Sequence, residues 1–448
     1  MGRKFKASFG SILLLSVGTA LSYGQSPQTT SNPLSPTETF AATTLTIAQA
    51  ESIAVANQPR LLAAQLRTRA AVQRVREARS GLFPTVAFNA TGVAVADTGT
   101  STAAGALTTS SISDRFAYGG NLVQLVTDFG RTSALVGAQR SLADAQKDLT
   151  TLTAAQIRLN VRSAYFQVMG AEAVLHAAQE AQGNRQLIVR QIKALAGSQL
   201  RSTLDVSFAS VLESEAELAV VRAESSVQQQ RTRLSSAMGQ LQPVTATLVE
   251  EQQLPSQLPP DPSSYLAQAD AQRADLNAAI AQQHAASRFA DSERRLNYPT
   301  LNALGAAGQI PFHDRTLKGN YAAAGFNLSI PVLNGGLFAA RRTEAELEST
   351  ARTRDAEEVK LEVNEQVQND WSQAMEAYRS LDVSARLVAQ SKESLRLAQA
   401  RYQAGLGSIV ELNEAQLSET SAEINAAGVT YTYLTRRAEL DFAAGLLN

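Results

Sequence analysis

The residues most able to do chemistry in this sequence are carboxylates beside a glycine break. The stretch RYQAGLGSIVELNEAQ, Arg401 to Gln416, places Gly405 and Gly407 among good helix formers and follows them with Glu411 and Glu414. Three positions apart on a helix, the two acids share one face. Such a pair can cap a helix or hold a local negative field. Ser408, three residues before Glu411, makes a capping box. Glu414, one turn further on, suits an acid favoured by the dipole of a helix start. A weaker version precedes it in AGSQLRSTLDVSFAS, 196–210, with Gly197, Ser202 and Asp205. There Asp205 stands where the capping box prefers Glu or Gln.

Enzyme chemistry finds little support. The three histidines, His176, His284 and His313, are isolated from one another, and there is no cysteine. Thiolate metal sites, disulfides, cysteine nucleophiles and a lipid-modified N-terminal cysteine are therefore excluded. No P-loop, dinucleotide fingerprint or G-x-S-x-G is present. No catalytic, cofactor-binding or metal-ligating residue is expected. The formal net charge is −1 and charged residues are 18% of the chain. No basic run or patch points to nucleic acid.

The elements around the carboxylates form two copies of one plan. Pro84 lies 25 residues after Pro59, and Pro299 lies 25 after Ala274. Each interval reads as a helix ending where a proline opens an extended run. Asp128 and Asn334 mark matching strand-to-helix turns, VTDFGRT and VLNGGLF. Asp205 and Glu411 each follow their turn by 77 residues. The copies differ between proline and turn, at 44 and 35 residues, with the surplus in the loop DTGTSTAAGALTTSSISD.

The chain divides as follows. Arg3, Lys4 and Lys6 before SILLLSVGTAL read as a secretory signal over 1–24, with a linker over 25–44. The first repeat spans 45–239, with a helix, strands at 84–96 and 116–127, a long helix at 130–196 and another at 203–238. A proline-rich linker spans 240–264. The second repeat spans 265–448, with a helix, strands at 299–310 and 321–332, and helices at 336–404 and 409–446. Seven-residue apolar ladders run through Leu152, Leu159, Phe166, Ala173, Leu187 and Ala194, and through Val367, Ala374, Leu381, Val388, Leu395 and Tyr402. They argue coiled-coil packing. In FNLSIPV, Phe326, Leu328, Ile330 and Val332 share a strand face. Each extended run is about the length of a tilted membrane strand, roughly 9–11 residues. Four strands cannot close a membrane barrel in one chain, so copies must combine.

Signal, two helix–strand–strand–helix–helix repeats, LNGG at 333–336 and YQAGLGSIVELNEAQ at 402–416 together resemble the TolC-like outer-membrane efflux proteins. The likeness runs from about Leu45 to Leu447. It implies a mainly α chain with membrane β: a homotrimer pooling twelve strands into an outer-membrane barrel, continuous with a periplasmic α-helical barrel. It implies no enzymatic activity and no cofactor. It also implies a Gram-negative outer membrane location and partners in a periplasmic adaptor and an inner-membrane pump, in drug efflux or type I secretion. On the same likeness, Glu411 and Glu414 ring the narrowed periplasmic entrance, and Tyr402 and Asp205 link neighbouring helices in its closed form. Gly197, Ser202, Gly405, Gly407 and Ser408 form the tip turns that dock the adaptor, with the glycines expected to supply positive φ. Gly407 departs from members that carry an arginine there to hold the gate. The first turn carries two more residues between Gly197 and Ser202 than the second between Gly405 and Ser408. Loops 97–115 and 312–319 are expected to face outside the cell. The competing reading is a periplasmic coiled-coil adaptor or scaffold without a barrel.

Overall fold

The computed structural model describes residues 44–93, 101–102, 109–110, 115–199, 202–249, 258–312 and 319–448. The expected signal over 1–24, linker residues 25–43 and most of the two strand-connecting loops lie outside them. In chain order the first half contains β1 (Thr44–Leu45), α1 (Ile47–Asn57), α2 (Pro59–Ser80), β2 (Thr85–Val93), β3 (Ser101–Thr102), β4 (Thr109–Ser110), β5 (Arg115–Thr127), α3 (Arg131–Gly197) and α4 (Thr203–Ala237). The second contains β6 (Thr247–Leu248), α5 (Ser263–Gln272), α6 (Ala274–Arg294), β7 (Thr300–Phe312), β8 (Asn320–Ser329), α7 (Leu337–Gln403) and α8 (Ile409–Ala443).

Each half opens with two helices where the sequence suggested one. Thr46 starts α1 with a full capping box to Gln49. Gln58 then ends α1 and starts α2 at φ −69°, ψ 114°, an extended residue ahead of Pro59. Arg273 does the same between α5 and α6 at φ −66°, ψ 117°. Both side chains reach the C-terminus of the half's last helix. Gln58 Nε2 donates to the Ser236 and Ala237 carbonyls, at 3.2 and 3.0 Å. Arg273 Nη1 donates to Phe442 and Ala443, at 3.4 and 3.0 Å. These are carbonyls a helix end leaves without intrahelical partners. Each acceptor in the second half lies 206 residues after its counterpart.

Arg273 is 5% exposed and also pairs with Asp275 at 2.9 Å and Gln366 at 2.6 Å. Arg273→Ala leaves two carbonyls and a carboxylate short of a donor. It should destabilise the fold by about 3 kcal/mol. Arg273→Gln, which copies the Gln58 arrangement, should recover at least half of that loss. Far-UV circular dichroism melts of the two variants check both statements.

The long helices α3 and α7, each 67 residues, run about 100 Å. Around them the packing forms two consecutive four-helix layers: α2–α3–α6–α7 on the strand side, and α4–α3–α8–α7 beyond the α1/α2 and α5/α6 joints. One apolar core gathers Leu45, Val161, Tyr165, Val168, Leu234 and Met238. A second gathers Tyr265, Val363, Val367, Tyr433 and Leu440. The Tyr165 hydroxyl accepts the Val249 amide at 2.9 Å, lies within hydrogen-bond distance of the Leu45 and Val249 carbonyls, and ties the parallel β1–β6 pair to α3.

The ladders behave differently along the two long helices. That of α7 stays buried or half-buried through Tyr402, whereas on α3 Leu187 is 48% exposed. A straight helix drifts about 20° per heptad against a seven-residue repeat. By that level the core face of α3 has moved to Arg185, Val189 and Ile192.

The four long strands form one antiparallel sheet in the order β2-β5-β7-β8, with β5 and β7 joining the two hairpins, and β3 pairs with β4 inside the segment expected to be a loop. The strand expected over 321–332 ends at Ser329. Pro331 offers no N–H to a ladder, and Ile330 and Val332 lie in the irregular segment leading to α7. No helix among the described residues is long and apolar enough to cross a membrane.

Candidate functional site: the shared tip of four helices

The α3–α4 and α7–α8 turns end in one apolar cluster. Val189 and Ile192 of α3, Ala209 of α4, Ala398 and Tyr402 of α7, and Ile409, Leu412 and Ala415 of α8 are buried together. This cluster fixes the polar residues around it.

In the second turn, Gly405 has φ +75° and the Leu406 and Gly407 amides donate to the Arg401 carbonyl, at 2.9 and 3.1 Å. This satisfies the end of α7 in the manner of a left-handed cap. Gly407 does not take positive φ, against the expectation for it, and its surroundings are close rather than strained. A Cβ there would sit 3.2 Å from Arg401 Cβ, the Tyr402 amide nitrogen and Glu411 Oε2.

In the first turn Gly197 is the last residue of α3 and Gln199 takes the left-handed conformation at φ +60°. The expectation that Gly197 supplies positive φ is therefore corrected. Gln199 is the counterpart of Gly405, and the Ser202 and Ser408 caps keep the same offset of 206 residues. The two extra residues vanish: both helices end five residues before their capping serine. Matching the two Ala-Gly pairs had misaligned the turns by two positions.

The Ser408 hydroxyl accepts the Glu411 amide at 3.1 Å, which is one half of the expected capping box. The Glu411 carboxylate turns away to Arg401 Nε at 3.0 Å, joining the two sides of the turn. Ser202 caps the Leu204 amide at 3.1 Å in place of Asp205. The Asp205 carboxylate lies 3.5 Å from the Tyr402 hydroxyl, at the outer limit of a hydrogen bond. Tyr402 itself is 5% exposed, so it is both a core residue and a link between α7 and α4. Glu414 is exposed and forms no ion pair among the described residues.

A second polar tier escaped the sequence reading. Arg185 of α3 is 6% exposed and donates to Gln416 Oε1 and to Thr420 Oγ1 of α8. Burial lowers its pKa, and the Glu419 and Glu215 carboxylates oppose that shift. Glu419 is pushed above its ordinary value by burial and then by neighbouring Glu423. Lys392 of α7 meets Glu423 at 2.7 Å. The available signal was a charged residue four and seven positions before two core residues, Val189 and Ile192.

His176 lies 3.7 Å from Glu180 on the exposed side of α3. Among the described residues no group of three or more acids and histidines is placed to hold a metal ion.

The comparisons with known proteins agree on one family. The family profile described as outer membrane efflux protein matches residues 51–240 and 265–446. Outer membrane protein TolC of Salmonella enteritidis is 25% identical over 438 residues, covering 90% of this chain and 84% of that protein. The outer-membrane channel OprN superposes with a TM-score of 0.76 at 20% identity, over 89% of both chains. The MtrE outer membrane channel of Neisseria gonorrhoeae, solved in its open state, gives 0.74 at 21% identity, over 89% of this chain and 88% of its own.

Proposed function

The chain belongs to the outer membrane efflux protein family, and from that premise we propose that it is the exit duct of a tripartite efflux or type I secretion system. In that role it assembles as a homotrimer. It conducts substrates passively from a periplasmic adaptor and inner-membrane pump to the outside. The family is one of channels, not enzymes.

The observation that carries the assembly is a pair of unfinished edges. The sheet ends at β2 and β8, and the helix layer beyond the joints ends at α4 and α7. Lipid does not tolerate open strand edges. Three copies of a four-stranded sheet supply the twelve strands of one barrel. The helix edge is apolar as well. Leu204, Phe208, Val211, Leu218 and Val221 of α4 are 41–59% exposed and follow coiled-coil spacing. The all-exposed β8 carries Phe326 and Leu328 outward, which suits lipid or a neighbouring strand. A periplasmic adaptor would have no use for such a sheet.

Tyr402, Asp205, Glu411 and Glu414 then form the periplasmic entrance, and the turns around Ser202, Gly405, Gly407 and Ser408 form the surface offered to the adaptor. The test is gel migration of the detergent-extracted protein. The trimer should run as one heat-sensitive species and collapse to the monomer only on boiling. A monomer band without heating, with no bilayer conductance, would rule the reading out.

A further inference from the structure

We propose that Arg185 is a positioning residue of the entrance, a clamp that holds α8 against α3 and keeps the channel mouth narrow. The inference rests on the entrance reading above, and adds to it a residue that lies away from the mouth.

The argument begins with connectivity. The four tip helices are two hairpins, α3–α4 and α7–α8. Polar side chains bridge the hairpins at two levels. At the turn, Tyr402 of α7 meets Asp205 of α4. Further in, Arg185 of α3 meets Gln416 and Thr420 of α8. Arg185 lies twelve residues before the end of α3, about 18 Å along its axis. Widening the mouth by moving the α7–α8 hairpin away from α3–α4 breaks both links. Lys392–Glu423 and Arg401–Glu411 lie within the moving hairpin and travel with it.

Packing explains why a polar clamp matters at this level. A cavity of about 760 Å³ opens between α3, α7 and α8, lined by Arg185, Ile188, Leu395, Tyr402, Leu412 and Gln416. The cavity borders the buried tip cluster, which shares Ile192, Tyr402 and Leu412 with its lining, so apolar packing between α3 and α8 is incomplete on this side. Buried hydrogen bonds from a guanidinium are directional, so they hold one registration of α8 more sharply than apolar contact does. Gln416 is 3% exposed, and its amide nitrogen is buried without a partner. Its oxygen is thus committed to Arg185 at the cost of an unsatisfied donor, which moving α8 would relieve. The clamp therefore adds a directional hold on α8 to the apolar contacts of the tip cluster.

The experiment uses the full-length trimer in planar bilayers. Arg185→Gln should raise the fraction of time spent in the large-conductance state at least tenfold, and Arg185→Lys should restore a value near that of the parent. A second route avoids dependence on the folding of Arg185→Gln. The chain has no cysteine, so Arg185→Cys with Gln416→Cys can be joined by a flexible bis-maleimide. The joined trimer should stay in the low-conductance state, and the unjoined double variant should open. If Glu411→Gln/Glu414→Gln alters ion selectivity while Arg185→Gln gates as the parent does, the clamp is refuted and the entrance reading stands. If neither alters the current, the entrance reading fails with it.

Discussion

Replacing Glu411 and Glu414 together with glutamine should abolish the cation preference of the channel and weaken block by multivalent cations at least tenfold, about 1.4 kcal/mol in apparent affinity. The measurement is reversal potential and block in planar bilayers. Three copies around one axis would bring six carboxylates to one mouth, and a ring of acids favours cations in transit. The geometry ranks the two positions. Glu411 lies 3.0 Å from the Arg401 guanidinium, so much of its field is cancelled within the turn. Glu414 is exposed and makes no ion pair among the described residues. Glu414→Gln alone should therefore produce most of the loss, and Glu411→Gln alone a smaller one. Arg401→Gln should strengthen block. Double-variant channels with parental selectivity and block would remove both acids from the entrance.

What the sequence disclosed follows from which features repeat. The spacing of Asp128 and Asn334 to Asp205 and Glu411 exposed the duplication because helix lengths are preserved where two long rods must end together. The tip turns were harder. An Ala-Gly pair at 196–197 looks like the one at 404–405, but it is Gln199, a residue that rarely adopts positive φ, that makes the first turn. Side-chain identity concealed what the constant 206-residue offset would have revealed. The α1/α2 and α5/α6 breaks were hidden for a related reason. Gln58 and Arg273 share backbone angles and acceptors but no chemistry that a sequence comparison would align. The Arg185 tier was missed because it lies off the heptad ladder of α3, on a face brought inward only by the drift of a straight helix. The Tyr402–Asp205 approach follows from the family resemblance, and the structure places the two groups 3.5 Å apart.

Duplication also organises the mechanics. Each half fastens its last helix to its own first joint, through Gln58 in one and Arg273 in the other. Those fastenings lie near the two main cores, far from the tip along α3 and α7. The tip cluster, in which Tyr402 is the single ring among Ala, Val, Ile and Leu side chains, is a separate and smaller assembly. Local opening draws on the weakest-packed part of a fold, so on the proposed function motion at the tip is expected to leave the joints and the sheet in place.

The fixed end has its own critical point, and Gly308→Val should eliminate the assembled channel. Gly308 faces Gly119 where β7 pairs with β5, the seam that joins the two hairpins of the chain. Tyr321 of β8 is paired with Gly308 and lays its hydroxyl over the two glycines. A Cβ on Gly308 would fall 2.7 Å from Gly119 Cα and closer still to the Tyr118 carbonyl oxygen. Both neighbours are backbone, so no rotamer change relieves the contact. The strands must separate, and the cost exceeds the roughly 1–3 kcal/mol of an ordinary overpacked core. Separated strands in lipid also leave ladder groups unsatisfied. The expected outcome is loss of the heat-sensitive trimer and of outer-membrane fractionation, with the chain left unassembled. Gly305→Ala and Gly325→Ala are the controls. A Cβ at Gly305 meets only Leu122 Cβ at 3.8 Å, and one at Gly325 meets nothing within 4 Å. Both should assemble normally, which separates a requirement for close approach at one seam from a general need for glycine in the sheet.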